Sequence, residues 1–312
     1  MAETKSEKVT VDVDGRHLTL SNLTKVLYPD AGFAKGEVID YYSRIAPVLL
    51  PHLADRPLTV KRYPNGVDGK FFFEKNAPRS TPGWVRTATL PVPGSTMNRE
   101  TIDFVVVEEL ATLVWLANLA ALELHVPQWR VPVRARKPRT DVVVFDLDPG
   151  PPATIVECAR VAVMLREVLH GDGLTPVAKT SGSKGMQVSA PISVDDMDLP
   201  SKYAHVVARR LERQDPALVV SRMTKSLRDG KVFVDWSQNN AAKTTVAPYS
   251  LRARPQPTVS TPLTWDEVES GEHLSFTAEE VLDRVEQHGD LWAGVLDDDA
   301  RARITSAMCT GE

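Results

Sequence analysis

Three aspartates stand where apolar runs end, and aspartate is the residue type from which a divalent-cation site is built. The run VVVF (142–145) is typical of a strand buried on both faces, and Asp146 and Asp148 follow it. Successive side chains of a strand face opposite ways, so these two carboxylates share one face. Carboxylates held together repel and raise each other's pKa unless a cation lies between them. The pattern predicts a site for a hard ion such as Mg²⁺ or Mn²⁺.

A third carboxylate, Asp235, ends another apolar strand in KVFVDW (231–236). Three strand-borne aspartates from two distant segments could form a two-metal site for phosphoryl transfer. A purely structural interpretation is also open, in which Asp148 caps a turn and Asp146 pairs with an arginine. The residues alone leave both interpretations standing.

A small-residue loop, TSGSKGM (180–186), lies between two predicted strands. Its backbone N–H groups could bind an anion, with Ser181, Ser183 and Lys184 as additional donors. The spacing of a Walker A loop is absent, and an ordinary flexible hairpin loop would have the same composition.

Several other residues could contact nucleic acid or nucleotide. His125 follows an apolar helix at a position where a side chain can leave the core. Three phenylalanines (71–73) lie between charged residues, and alternation lets one ring face outward and stack on a base. Arg222, Lys225, Arg228 and Lys231 form a basic stretch before Asp235. Each feature also has a structural explanation. The histidine could be a core residue whose hydrogen bonds are satisfied, the rings could all be buried, and the basic residues could form a solvated surface.

Hydrophobic periodicity and turn signals predict the elements that must position these residues. A hairpin turning at Asp14-Gly15 is expected over 9–20, and strand–loop–strand over 176–191. A hairpin turning at Asp229-Gly230 is expected over 225–236. Helices are expected over 36–53 (limited or bent by Pro47 and Pro51), 108–124, 155–170 and 202–214, and strands over 57–66, 70–75 and 102–107.

Composition and charge narrow the class of protein. The chain has 312 residues, 42% of them hydrophobic and 25% charged, which fits a globular protein of one large domain or two fused lobes. Two cysteines are too few for a disulfide framework. There is no apolar run of about 20 residues to span a bilayer, and the charged first residues do not resemble a signal peptide. We therefore expect a cytoplasmic protein with no membrane partner.

The net charge of −4 conceals an asymmetry along the chain. Residues 266–312 hold 13 acidic and 3 basic residues, so the remainder carries a net charge of +6. The first part could meet a polyanion electrostatically, whereas the last part could not.

Taken together, eight stretches resemble the archaeo-eukaryotic primase superfamily. More narrowly, the chain is similar to the polymerase domain of bacterial ligase D and to stand-alone mycobacterial primase-polymerases. The matching text covers residues 17 to about 290. It comprises KVLYP (25–29), DYYSRIAPVLLPHLADRP (40–57), KRYPNGVDGKFFFEK (61–75), LELHVPQW (122–129), VFDLDPG (144–150), TSGSKG (180–185), MTKSLRDGKVFVDWSQN (223–239) and KTTVAPYSLRAR (243–254).

The resemblance implies a role for each matching residue. Asp146, Asp148 and Asp235 would be catalytic and would hold two divalent ions, Mn²⁺ or Mg²⁺. Ser181, Lys184 and Arg252 would contact the triphosphate, Phe73 would lie under the incoming base, and Lys61 and His125 would lie near the sugar and triphosphate. Asn22, Lys25 and Lys35 would grip a 5′-phosphate downstream of a gap, where Lys35 precedes a helix whose dipole assists binding. Lys75, Arg228 and Gln238 complete the set as further DNA or active-site contacts.

One position departs from the family pattern. The family commonly has His two residues after the last Gly of S-G-S-K-G, whereas this chain has Gln187. Glutamine can donate a hydrogen bond but carries no charge, so the contribution of a cationic His to phosphate binding is lost. This affects the expected nucleotide affinity or rate, but not the metal site.

The implied fold is a mixed α/β primase-polymerase fold, with two packed sheets flanked by helices and the metal site in the cleft between them. We expect one such domain over 1–312, with an N-terminal lobe to about 140, a catalytic lobe over about 141–255 and an acidic helical tail from 256. The chain shows no ligase or nuclease module, which favours a free-standing polymerase.

The implied reaction is template-directed nucleotidyl transfer that prefers ribonucleotides and fills short gaps or ends during DNA repair. Its partners would be gapped or end-containing DNA with a 5′-phosphate, NTP or dNTP substrates, and repair proteins such as a ligase and Ku, near the nucleoid. Two alternatives are a phosphatase of the haloacid dehalogenase type, whose first motif also places D-x-D after a strand, and a catalytically weak DNA-end-binding protein. Pro149 and the lack of a second acidic pair argue against the first alternative. Retention of three aspartates argues against the second.

Overall fold

Strands of two β-sheets contribute residues to the cleft that holds many of the candidate residues. This computed structural model describes residues 8–92, 99–131 and 139–310. Its strands are β1 (Lys8–Val13), β2 (Arg16–Ser21), β3 (Val26–Tyr28), β4 (Phe33–Ala34), β5 (Thr59–Arg62), β6 (Phe72–Glu74), β7 (Thr87–Pro91), β8 (Thr101–Val105), β9 (Ala121–Val126), β10 (Trp129–Arg130), β11 (Arg139–Thr140), β12 (Val142–Pro149), β13 (Val177–Thr180), β14 (Met186–Ser193), β15 (Val219–Val220), β16 (Val232–Asp235), β17 (Thr245–Val246), β18 (Pro262–Leu263) and β19 (Ala302–Arg303). Its α-helices are α1 (Lys35–Leu53), α2 (Leu110–Asn118), α3 (Ile155–Gly171), α4 (Leu199–Gln214), α5 (Trp265–Ser270) and α6 (Ala278–His288).

The larger sheet has the strand order β15-β16-β12-β14-β13-β18, with β19 pairing alongside β14. Strands β12 and β14 lie at its centre as an antiparallel pair. Both are apolar along most of their length, as expected of strands covered on both faces. Helices α3 and α4 pack on this sheet.

The smaller sheet has the order β17-β9-β5-β6. Its central strand β9 is joined to helix α1, because the Tyr42 hydroxyl donates a 2.6 Å hydrogen bond to the Leu122 carbonyl. The neighbouring Tyr41 hydroxyl donates to the Tyr249 carbonyl at 2.8 Å. Helix α1 therefore holds both the small sheet and the segment that follows β17. These two sheets with flanking helices confirm the expected fold class.

Most predicted elements are present with shifted ends. The 9–20 hairpin, the strand–loop–strand unit and the helices near 36–53, 155–170 and 202–214 are confirmed. Helix α1 continues through Pro47 and Pro51, so the expectation that these prolines limit it is wrong. Strands β5, β6 and β8 are shorter than predicted.

The predicted helix over 108–124 is wrong in its second half. Helix α2 ends at Asn118, Ala120 takes a left-handed φ of 57°, and strand β9 begins at Ala121. The run is mostly apolar, and periodicity cannot separate a buried helix from a buried strand in such a run. His125 therefore lies on a strand and does not follow a helix.

The predicted hairpin over 225–236 is also wrong. Residues Lys225–Leu227 form a 3-10 turn, and only β16 is a strand. It pairs in parallel with β15 and antiparallel with β12. Its partners come from distant parts of the chain, which a local turn signal cannot reveal.

The acidic last part of the chain packs against the rest. Asp290 accepts hydrogen bonds from His52 on α1 (2.8 Å) and from the Tyr249 hydroxyl (2.7 Å). Strand β19 pairs with β14 in the larger sheet, and Trp292 and Val295 are buried. Within the described residues, no helix combines the length and apolar character needed to cross a membrane.

Candidate active site

The three aspartates lie on one face of the larger sheet. Asp146 and Asp148 are alternate residues of β12, so their side chains point the same way. Asp235, the last residue of β16, is directly opposite Asp146 in the antiparallel register. Directly opposite residues of antiparallel strands share a face. Two segments far apart in sequence thus place three carboxylates on one face of the sheet.

This arrangement is electrostatically unfavourable without a cation. Burial, then the charge of Asp148 and that of Asp235, raise the pKa of Asp146 to about 7. Burial and the charge of Asp235 also raise the pKa of Asp148, against a smaller opposing effect of Arg228. A divalent ion would relieve this repulsion, and oxygen-rich sites suit Mg²⁺ and Mn²⁺. The carboxylate oxygens therefore suit ions of this type. In the described ranges, however, no three His, Cys, Asp or Glu side chains already converge as a ready-made metal cluster.

Hydrogen bonds from neighbouring residues hold two of the carboxylates. Asp235 accepts bonds from the Ser237 backbone N (2.9 Å), the Ser237 hydroxyl (2.5 Å) and the Gln238 amide (2.8 Å). Lys243 in turn donates to the Ser237 hydroxyl. Gln238 is thus placed beside a candidate metal ligand and lines the adjoining cleft.

Gln187, the departure from the family pattern, contacts the aspartates directly. It lies opposite Asp146 across the β12–β14 pair and donates to Asp146 Oδ1 at 3.0 Å. Its own Oε1 is buried and has no hydrogen-bond partner among the described residues. In this structure Gln187 therefore orients Asp146 at the wall of the cleft.

The loop TSGSKGM (180–186), which we call the glycine–serine loop, is a tight turn packed against β12. The Ser181 hydroxyl accepts hydrogen bonds from the backbone N of Ser183 (3.3 Å) and of Gly185 (3.2 Å). A Cβ at Gly185 would lie 2.1 Å from the Leu147 carbonyl oxygen, so only glycine fits there. Arg252 donates to the Ser181 carbonyl, and Lys184 is exposed. This places two cations and a hydroxyl beside the aspartates.

A buried glutamate that the sequence analysis did not single out joins three of the predicted residues. Glu123, on β9, is 3% exposed. Its Oε2 lies 3.0 Å from Lys61 Nζ and 3.0 Å from His125 Nε2, and its Oε1 lies 3.4 Å from Arg252 Nε. Burial opposes ionisation, but the hydrogen bond from His125 and the charges of Arg252 and Lys61 outweigh it and lower the pKa of Glu123. The signal that was available is the alternation in LELHV (122–126), which puts Glu123 and His125 on one face.

The aromatic residues lie next to this group. Phe71, Phe72 and Phe73 are all about half exposed, so all three rings reach solvent where alternation would expose one. The Phe73 ring meets His125 edge-on, with 6.3 Å between ring centroids, and Lys75 Nζ lies 6.0 Å from the Phe73 ring centroid. Phe71 stacks on Tyr63. Phe73 and Lys75 thus border the His125 side of the site.

A cleft of about 340 Å³ joins these parts. Its walls include the predicted residues His125, Asp146, Asp148, Ser181, Lys184, Gln238 and Arg252. Thr244, Thr245 and Arg254 also line it, and neither threonine was singled out from the sequence. Arg228 lies elsewhere, with its guanidinium 3.8 Å from the Phe233 ring centroid, and acts on Asp148 through its charge. We call this space the nucleotide cleft.

Asn22, Lys25 and Lys35 do not line the nucleotide cleft and form a separate group, the phosphate pocket. Lys35 is the first residue of α1, and its backbone N donates to the Lys25 carbonyl at 2.9 Å. Lys25 N donates in turn to the Asn22 carbonyl at 3.0 Å, where Asn22 takes a φ of 55°. Lys35 Nζ bonds the Ser21 carbonyl and Lys25 Nζ bonds Asn65. Burial, and then the charge of Lys25, lower the pKa of Lys35 to about 8. Two lysines this close favour an anion.

Comparison with known proteins gives consistent matches. A family model described as the LigD primase-polymerase domain matches residues 34–292. The multifunctional non-homologous end joining protein LigD of Mycolicibacterium smegmatis is 47% identical over 297 residues, covering 93% of this chain and 37% of that protein. The bifunctional LigD of Bacillus subtilis is 31% identical, covering 87% and 43%. This chain thus spans less than half the length of these relatives.

Among solved structures, the polymerase domain of Mycobacterium tuberculosis ligase D in complex with DNA superimposes with a TM-score of 0.85. It is 44% identical, and the match covers 90% of this chain and 98% of that one.

Proposed function

The chain belongs to the LigD primase-polymerase domain family, a family of metal-dependent nucleotidyltransferases, and from this we propose that it extends a primer 3′-end on a DNA template. The observation that carries the proposal is the set of three aspartates on one sheet face beside the glycine–serine loop. Carboxylates next to an anion-binding loop are what nucleotidyl transfer from a triphosphate requires.

Asp146, Asp148 and Asp235 are the residues that would hold two divalent ions, Mn²⁺ or Mg²⁺. Such ions, when bound, supply charge for the attacking and leaving oxygens of an in-line displacement. Gln187 and Gln238 keep Asp146 and Asp235 oriented. Arg254 also lines the cleft, bonds the Ser183 hydroxyl and adds positive charge there.

We assign the rest of the nucleotide cleft by the chemistry of its walls. Ser181, Lys184 and Arg252 offer donors and positive charge to a triphosphate. Phe73, half exposed at the other end, offers a face on which a base can stack. Lys61 and His125, both held by Glu123, are the residues that we assign to the sugar.

The phosphate pocket supports a substrate with a second anionic group. Lys35 is buried near Lys25 at the start of α1, and a terminal 5′-phosphate is an anion that such a site would attract. We infer that gapped or broken DNA with a 5′-phosphate is the natural substrate, that ribonucleotides are preferred, and that the activity serves end joining or gap repair near the nucleoid. A ligase and Ku would be partners in that pathway. We also propose that the N-terminal lobe ends near residue 140 and the catalytic lobe near residue 255.

A gapped-DNA extension assay with Mn²⁺ and each of the four NTPs and dNTPs tests the function. We expect template-directed addition to the primer with release of pyrophosphate. Release of inorganic phosphate without a template would indicate a phosphatase, and gap binding without extension would indicate an end-binding protein.

A further inference from the structure

Glu123 contacts several residues near the Phe73 ring and the glycine–serine loop. Among the described residues it is the single carboxylate within reach of Lys61, His125 and Arg252, and it also accepts a 3.2 Å hydrogen bond from the Ala253 backbone N. Glu123 itself does not line the cleft. Its effect on a substrate must therefore pass through the residues it holds.

The contact with His125 fixes where the imidazole carries its proton. Glu123 is ionised, because its pKa is lowered, and a carboxylate can only accept hydrogen bonds. His125 Nε2, 3.0 Å away, must therefore carry a hydrogen. Burial lowers the pKa of His125, so the ring is neutral near pH 7. The remaining nitrogen, Nδ1, is then an acceptor with a free lone pair.

The position of His125 defines which part of a nucleotide it meets. The Phe73 ring lies beside the imidazole, with 6.3 Å between ring centroids, and His125 lines the same cleft as Ser181, Lys184 and Arg252. A nucleotide whose base stacks on Phe73 and whose phosphates reach that loop has its sugar beside His125. The charged neighbours Lys61, Lys75 and Arg252 are all donors. A sugar hydroxyl that accepts from one of them needs an acceptor for its own proton.

We propose that Glu123 is a positioning residue for sugar selection, which holds His125 with Nδ1 as the acceptor for the ribose 2′-hydroxyl of the incoming nucleotide. The inference rests on the proposed nucleotidyl transfer and assigns the sugar preference to a residue outside the cleft. A deoxyribonucleotide leaves Nδ1 without that donor. Buried polar groups without a partner are what allow a site to reject an analogue that lacks one hydroxyl.

Glu123→Gln is the first test variant, because it keeps the side-chain shape and removes the charge. Its amide places an NH₂ group among Lys61, Arg252 and His125. Lysine and arginine can only donate hydrogen bonds, so only His125 can accept one from this group, and it does so by moving its own proton from Nε2 to Nδ1. The readout is the ratio of kcat/KM for ATP to that for dATP. Both substrates carry the same triphosphate, so the changed charge of the cleft cancels in this ratio. We expect the ratio to fall about fivefold, the size of one neutral hydrogen bond.

Glu123→Asp is a second test variant, and Asp141→Asn is the matched control. Glu123→Asp keeps the charge but draws the carboxylate back, so a role in positioning predicts a lowered ratio here too. Asp141 is equally buried and binds Arg56 and Arg130 at the start of β12, outside the nucleotide cleft. Asp141→Asn should lower the Tm and leave the ATP/dATP ratio unchanged. Asp290→Asn serves the same purpose if that variant does not fold.

The outcomes separate this inference from the proposed function. A wild-type ratio in both Glu123 variants, or an equal loss of ratio in Asp141→Asn, would overturn the role of Glu123 while primer extension stands. If the wild type binds nucleotide without extending, the function fails, and the ATP/dATP ratio of binding constants with Mn²⁺ still tests Glu123. Long-range ¹H–¹⁵N correlation of His125 gives a readout independent of activity: a hydrogen on Nδ1 in the wild type would refute the proposal.

Discussion

Among single residues, the three aspartates differ in the hydrogen bonds that their carboxylates accept. Asp146 and Asp235 accept hydrogen bonds from Gln187, Ser237 and Gln238. Asp148 is partly buried but more exposed than the other two, and among the described residues no group donates a hydrogen bond to its carboxylate. Its carboxylate therefore adds repulsion without adding a structural contact. This is the behaviour expected of a residue whose role is to bind a cation.

Replacement of Asp148 should separate chemistry from folding and from DNA binding. We expect Asp148→Asn to abolish primer extension, because a ligand of the two ions is lost. The Tm should stay equal or rise, since one of the mutually repelling carboxylates is gone. Extension assays, thermal melts and gel-shift titrations with gapped DNA measure the three properties.

Asp235→Ala is the companion variant. It should also abolish extension but lower the Tm, because Ser237 and Gln238 lose their acceptor. Near-normal extension by either variant would remove the assignment of the aspartates to the metal site.

Lys35 provides a pH dependence that belongs to a single residue. Its pKa in the folded protein is about 8, below the usual 10.5, so it is charged at pH 7 and largely neutral at pH 9.5. A phosphate monoester is already a dianion at pH 7. The preference for a gap with a 5′-phosphate over one with a 5′-hydroxyl should therefore weaken as the pH rises. The midpoint should lie somewhat above 8, because bound phosphate favours the charged lysine.

Lys35→Arg is the control for this titration. Arginine stays charged over the whole range, so the preference of this variant for the 5′-phosphate should be nearly independent of pH from 7 to 9.5. Fluorescence anisotropy with the two gap substrates measures both proteins. A parallel loss of preference in the wild type and in the Lys35→Arg variant would show that another group titrates.

At the element scale, the glycine–serine loop depends on its contact with strand β12. A Cβ at Gly185 would collide with the Leu147 carbonyl oxygen, a backbone atom in the centre of the larger sheet. The loop would have to move outward, and Ser181 and Lys184 would move with it. The position of the triphosphate contacts is thus set by how closely the loop packs on the strand.

Gly185→Ala should therefore raise the KM for nucleotide and destabilise the fold by about 1–3 kcal/mol, as overpacking does. Gly171→Ala is the matched control, because a Cβ there meets nothing within 4 Å at the end of α3. It should leave the KM unchanged and stability equal or slightly higher. Steady-state kinetics and denaturant unfolding provide the measurements. An unchanged KM in Gly185→Ala would mean that the loop does not position the triphosphate.

The individual strands and helices show which parts of the fold the sequence could predict and which it could not. Alternation along β12 was enough to place Asp146 and Asp148 on one face, and the turn signal at Asp14-Gly15 was enough for the first hairpin. Both depend on local geometry. The boundary at Ala120 was not predictable, because the apolar run around it suits a buried helix and a buried strand equally. Glu123 was missed with it, since its partners Lys61 and Arg252 come from other segments.

At the scale of the whole molecule, charge is separated along the chain but partly neutralised within the fold. Residues 266–312 are strongly acidic, yet Glu267 pairs with Arg284 and Asp290 is held by His52. The nucleotide cleft and the phosphate pocket are both built from residues before 266, where the net charge is positive. Two anion-binding regions on one positively charged part of the chain suit a substrate that presents phosphates at two places.

A short gap is such a substrate, and its downstream end should decide the affinity. We expect tighter binding to a gap with a 5′-phosphate than to the same gap ending in a 5′-hydroxyl. A charge-assisted contact contributes about 1.5–3 kcal/mol, and screening at an accessible pocket reduces this, so the preference should be about tenfold at low salt. It should shrink as salt rises and vanish in the Lys25→Ala/Lys35→Ala double variant.

Lys202→Ala/Arg213→Ala removes the same amount of charge from exposed positions on α4 and is the control for net charge. This variant should bind both gaps somewhat more weakly while keeping the preference for the 5′-phosphate. Anisotropy titrations of the three proteins at several salt concentrations distinguish a specific pocket from general attraction. Equal affinity of the wild type for the two gap ends at low salt would mean that Lys25 and Lys35 do not bind the 5′-phosphate. The protein would then extend primers without recognising the far side of the gap.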